Sequence, residues 1–161
     1  MASKKPKTSL TKNQISNSKD QKAQLFLYLA LIQAIVATSG SLYFSEIAHF
    51  PPCVLCWYQR VCMYPQVVLF FVGILKKDKW LPYYVLPLSI VGLCISIYHN
   101  LLYYKIIPEA LAPCVNGVSC TTKFIEWFGF VTIPFLSMCA FIIITVLTLV
   151  YIRSSKSESR S

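Results

Sequence analysis

The chain has 161 residues, 56% of them hydrophobic and only 13% charged, with a formal net charge of +9. That balance excludes an ordinary soluble globular domain and points to a membrane protein. A nucleic-acid binder could carry the same surplus of positive charge, but the charge is not distributed as in such proteins, and no phosphate-cradling glycine loop, nucleic-acid motif or internal repeat is present.

Residues 1–22, rich in Lys, Ser, Asn and Gln, read as a disordered basic tail. Four apolar blocks follow, at approximately residues 25–44, 56–75, 81–100 and 130–151. Each approaches the roughly 20 residues that carry a helix across a bilayer. The blocks are continuously apolar instead of alternating, and four strands could not close into a barrel. The expected fold is therefore an all-α membrane protein, a four-transmembrane-helix bundle occupying residues 23–152, with a second polar tail at 153–161. The lysine-rich lead resembles that of a signal peptide. Its apolar block, however, exceeds the roughly 7–15 residues usual for such signals and three more spans follow, which favours a retained helix. Pro82, Pro87 and Pro134 fall near expected helix starts, whereas Pro65 lies inside the second block and should kink it or distort its hydrogen bonding.

Twelve of the fifteen basic residues lie in the two tails and in the short turn Lys76–Trp80. The intervening segments hold only Lys105 and Lys123, and Arg60 lies at the start of the second span. The positive-inside rule then puts both termini and the Lys76–Trp80 turn in the cytoplasm, where the lysines also attract anionic lipid. Two segments, around residues 45–52 and 101–129, face outward.

Four of the seven cysteines belong to those outer segments: Cys53 and Cys56 at the entrance to span two, Cys114 and Cys120 in the second segment. Cys62, Cys94 and Cys139 fall inside spans and read as small packing residues. An even outer set in an oxidising compartment suits two disulfides. A zinc site is the competing reading, but five residues separate Cys114 from Cys120, no histidine clusters with the cysteines, and oxidising conditions disfavour four thiolates. Structural staples are a stronger alternative. Against them, a ring enclosing only Val54 and Leu55 constrains little of the unfolded chain and is better suited to redox exchange. Cys53 is expected at the N-terminal edge of helix two, where the dipole and free N–H groups favour thiolate.

Arg60 lies four residues after Cys56 and seven after Cys53, which puts all three on nearly one helical face. An arginine at the rim of a span is costly unless it snorkels, pairs or serves a site. Snorkelling explains Arg60 alone. A site role explains the registry too, through a guanidinium that stabilises a thiolate and hydrogen-bonds a carbonyl of a lipid-dissolved electron acceptor.

The stretch "CVLCWYQR" at a span entrance, a short basic turn, a third span, and "PCVNGVSC" before a fourth span together resemble the DsbB family of disulfide-bond oxidases, most closely its BdbC branch. The resemblance covers residues 25–152. It implies a membrane enzyme, a quinone-dependent protein thiol–disulfide oxidoreductase, that supports disulfide formation in secreted proteins. An extracytoplasmic thioredoxin-fold thiol oxidase (DsbA/BdbD-like) would attack a Cys114–Cys120 disulfide, with Cys114 in the mixed disulfide. The resulting thiols would reduce a Cys53–Cys56 disulfide, which passes two electrons to a membrane quinone, menaquinone or ubiquinone, without a metal. Cys56 is expected to be the thiolate beside the quinone and Arg60 to bind the quinone. Gln59, His99 and Asn100 are further quinone neighbours by position alone, and His99 fits an ordinary interfacial histidine equally well. In "TTKFIEWFGF", Phe124, Trp127 and Phe128 recur at helical spacing, consistent with a short interfacial helix in the second outer loop or with the start of span four. The close spacing of the second cysteine pair fits the BdbC branch. The implied location is the bacterial cytoplasmic membrane, with the cysteine pairs outside. Two other functions stay open: a four-helix structural protein stapled by two outer disulfides, and a transmembrane reductant conduit of the DsbD/CcdA class. Both pairs lying on one side argues against the conduit.

Overall fold

The computed structural model describes residues 7–108 and 132–158. Four helices form, α1 (Lys7–Leu42), α2 (Val54–Lys76), α3 (Leu81–Tyr103) and α4 (Ile133–Glu158), with no strand among the described residues. Each, α1 together with the turn Tyr43–Ile47 that continues it, supplies a stretch long and apolar enough to cross a membrane: Gln24–Ile47, Val54–Lys76, Leu81–Tyr103 and Ile133–Ser155. These agree with the four blocks expected from sequence to within a few residues.

Two differences concern helix continuity. Residues 7–22, expected to be a disordered tail, continue α1 as helix. Neither Gly nor Pro occurs from Lys7 to Ser39, and extending a helix already nucleated in the membrane costs far less than starting one. At its other end α1 widens into one π-helical turn, Tyr43–Ile47, a local widening often found beside functional sites. Pro65 does not break α2, which runs through it from Val54 to Lys76. One residue on, the Gln66 amide donates to the Cys62 carbonyl at 3.1 Å, adding a side-chain bond at this point of the helix.

Packing follows chain order. α1 meets α2, α2 meets α3, α3 meets α4, and α4 closes back on α1. The short connections from α1 to α2 and from α2 to α3 make those neighbours antiparallel. Ala30 and Ala34 of α1, Phe70 of α2, Val85 of α3, and Phe141 and Ile144 of α4 are all buried at the centre. A Cβ at Gly92 would collide with the ring of Phe141, so α3 can approach α4 this closely only with glycine there. Three of the hydroxyls that enter this apolar centre are paired: Ser89 and Thr145 share a 2.8 Å hydrogen bond, and Thr145 and Thr148 each bond the carbonyl four residues earlier. Large apolar side chains such as Trp57, Val61, Phe71, Leu75, Tyr84, Val91 and Val146 point outward. For a helix in water that would be costly, but in hydrocarbon it is the required arrangement.

Candidate active site

Pro51 and Pro52 lead an extended chain into α2, and Cys53 takes its N-cap position with φ −71° and ψ 168°. The Cys56 backbone N–H donates to Cys53 Sγ at 3.3 Å. Sulfur thus occupies the place normally held by a Ser, Thr, Asp or Asn oxygen. One helical turn on, the Cys56 side chain comes back over the cap, so the two sulfurs lie 2.8 Å apart, both as free thiols.

Two further groups complete the cluster. His99, from the last turns of α3 and only 2% exposed, brings Nε2 to 3.7 Å from Cys53 Sγ. Its Nδ1 lies 3.2 Å from the side-chain nitrogen of buried Gln59. With that amide donating, a neutral ring carries its proton on Nε2 and offers it to Cys53. The Cys53 thiol falls from 9.0 to about 4: the hydrogen bond from Cys56 is the largest cause, burial opposes it, and His99 and the Cys56 backbone N–H add to the lowering. The expectation that Cys56 carries the thiolate is therefore not what the cap geometry favours, because the converging donors meet Cys53.

Arg60 faces the same side of α2. Its Nε donates to Ser41 Oγ and one terminal nitrogen to the Ser41 carbonyl, both at 2.9 Å, and its guanidinium lies 5.5 Å from the centre of the Trp57 ring. The other terminal nitrogen makes no hydrogen bond among the described residues. Arg60 is thus braced by α1 and does not hydrogen-bond either sulfur.

Cys53, Cys56, Gln59, Arg60 and His99 all line one half-open cavity of about 280 Å³ between the four helices. Val36, Phe44, Met63, Leu136 and Phe141 give it apolar walls. Asn100 does not join them: its amide nitrogen bonds the carbonyls of Ser96 and Pro134 and fastens α3 to the start of α4. Cys114, Cys120 and the interfacial helix expected around Phe124–Phe128 lie outside the described residues. Cys62 is buried in the helix core, as a packing residue would be.

The zinc argument needs one correction. A histidine does accompany the first cysteine pair, because α3 packs beside α2, and the ligand atoms of Cys53, Cys56 and His99 all lie within 4.8 Å of one another. Three donors of this kind could hold a soft divalent cation when the sulfurs are reduced. Sequence reasoning also missed Ser41 and Tyr64 on the cavity wall. Nothing in the sequence marks Ser41, but Tyr64 stands one turn beyond Arg60 on the same face, a spacing that would have flagged it.

Comparisons with known proteins show the family. The family described as "Disulfide bond formation protein DsbB" matches residues 22–151. Disulfide bond formation protein C of Bacillus subtilis is 46% identical over 136 residues, covering 83% of this chain and 96% of that protein. Probable disulfide formation protein C 1 of Bacillus anthracis is 43% identical over 136 residues, covering 84% and 98%. The SPbeta prophage-derived disulfide bond formation protein B of Bacillus subtilis is 39% identical over 132 residues, covering 81% and 88%. No solved structure matches the chain. The family match over most of the chain, the four apolar helices and the paired thiols at the entrance of α2 lead to one conclusion: this chain belongs to the DsbB family of disulfide bond formation proteins, multi-pass membrane thiol–disulfide oxidoreductases.

Proposed function

We propose that the protein reoxidises an extracytoplasmic thioredoxin-fold thiol oxidase and delivers the electrons to a membrane quinone. The observation that carries this reading is the shared cavity, which puts a reactive sulfur pair and a braced arginine on one apolar wall. The relatives' names concern disulfide formation alone; the quinone and the partner belong to our reading.

Electrons balance at each exchange. The partner's dithiol becomes a disulfide as Cys114–Cys120 is reduced, and Cys114–Cys120 is restored as Cys53–Cys56 is reduced. The depressed Cys53 thiol makes the reduced form of the Cys53–Cys56 pair more stable and so draws electrons inward. A quinone bound in the cavity supplies a two-electron acceptor that also takes up protons.

The residues present fit such a group. Flat apolar rings match the cavity walls, and Arg60 has a donor uncommitted among the described residues to offer a carbonyl. Ser41 and Trp57 hold the guanidinium in place. Gln59 fixes the orientation of His99, which serves Cys53. In this reading the termini and the Lys76–Trp80 turn are cytoplasmic and both cysteine pairs are extracytoplasmic.

The test is turnover of purified protein with a reduced thioredoxin-fold partner and a soluble quinone. Quinone reduction should match partner oxidation one to one and vanish in Cys53→Ser and Cys56→Ser. Turnover that survives either substitution overturns the reading.

A further inference from the structure

Resting on the quinone reading above, we propose that the Tyr64 hydroxyl is the second anchor of the cavity, donating a hydrogen bond to the carbonyl of a para-quinone opposite the one held by Arg60.

Four buried polar side-chain atoms have no hydrogen-bond partner among the described residues: Thr38 Oγ1, Tyr64 Oη, Gln66 Oε1 and Asn100 Oδ1. Of these four residues, Tyr64 alone lines the cavity. A buried hydroxyl without a partner is costly, and more so at membrane depth, where no bulk water reaches it. A donor of this kind, on a residue that lines a binding cavity, is available to a ligand acceptor.

Position within α2 indicates which acceptor. Cys56, Arg60 and Tyr64 recur every four residues and all three line the cavity, so they form one stripe of sulfur, guanidinium and phenol about a helical turn apart. Tyrosine and arginine side chains in a helix both lean toward the helix N-terminus, so the hydroxyl and the guanidinium keep about the one-turn spacing of their positions. Two donors separated by about one turn suit a planar ligand with acceptors at opposite ends. A para-quinone has that form, whereas a monoketone or a fatty acyl chain offers only one acceptor or none. Tyr64 is thus a positioning and specificity residue that fixes the ring in the plane between two donors.

The experiment measures equilibrium binding of duroquinone to the oxidised protein in detergent, by quenching of tryptophan fluorescence, and needs no turnover. Tyr64→Phe should weaken binding by roughly fivefold, the worth of one neutral hydrogen bond. Tetramethylphenol, with one oxygen, should bind wild type and Tyr64→Phe alike, because the stronger charge-assisted donor of Arg60 claims its single acceptor. Thermal unfolding without ligand should show Tyr64→Phe at least as stable as wild type, since only an unpaired hydroxyl is lost. If Tyr64→Phe binds duroquinone as wild type does while Arg60→Ala binds it weakly, the Tyr64 assignment falls and the quinone reading stands. Equal weakening toward both ligands would reduce Tyr64 to a structural role and overturn the proposal. If wild type binds no duroquinone, both fall.

Discussion

The charge on Cys53 should be visible in how the potential of its pair depends on pH. Consider the Cys114→Ser/Cys120→Ser variant, in which the α2 pair is isolated. The groups that meet Cys53 are Cys56 and His99, and they hold its thiol at about 4 against the ordinary 9.0. The folded value lies below the ordinary one, so the thiolate's stabilising contribution is complete above pH 9 and drains away as pH falls toward 4. At pH 7 the thiolate therefore stabilises the reduced pair and raises its potential. Between about pH 5 and 8 reduction then takes up one proton per two electrons, and the potential should change by about 30 mV per pH unit. Two ordinary thiols would give about 59 mV per unit. Equilibration with glutathione buffers across that range, read by thiol alkylation and mass, supplies the slope. A slope of about 59 mV would refute the assignment of the thiolate to the N-cap.

Three other outcomes follow from particular contacts. Arg60→Ala should raise KM for quinone by about tenfold or more, the worth of a hydrogen bond to a charged group, and leave the exchange with the thiol partner unchanged in stopped-flow. Arg60→Lys should not restore it, because the planar guanidinium reaches the Ser41 hydroxyl, the Ser41 carbonyl and a ligand from separate nitrogens, whereas an ammonium presents its donors from a single point. Gly92→Ala should cost about 1–3 kcal/mol in denaturant unfolding in detergent, since the new methyl meets the fully buried Phe141 ring. Chelators should leave turnover untouched, whereas added Zn²⁺ should inhibit by engaging Cys53, Cys56 and His99 in the reduced state, reversibly on chelation.

The spans were legible in the sequence because the bilayer imposes a length and a composition that local patterning cannot disguise. The site was half legible for a related reason. Cys53, Cys56, Gln59 and Arg60 lie within two turns of α2, so helical geometry alone brings them to one end of it. His99 reaches Cys53 across 46 residues of chain, and nothing local records how α3 is rotated against α2. The same holds for Ser41, whose carbonyl and hydroxyl brace Arg60 only once α1 has packed. The sequence offered two places for the thiolate, Cys53 by its N-cap position and Cys56 by its place beside the quinone, and they separate only once the donors are located. Depth in the membrane and nearness to Arg60 pointed to Cys56, but an N-cap acceptor collects backbone and side-chain donors that proximity in sequence does not display.

The central claim is that the α2 pair hands its electrons to a quinone, and it is tested most directly by a single turnover without any partner. The Cys114→Ser/Cys120→Ser protein, reduced and freed of reductant under anaerobic conditions, is mixed with excess soluble quinone and followed by absorbance. The account predicts one equivalent of quinone reduced per protein as Cys53 and Cys56 become resistant to alkylation. Thiols that remain alkylatable, with no quinone consumed, would contradict it.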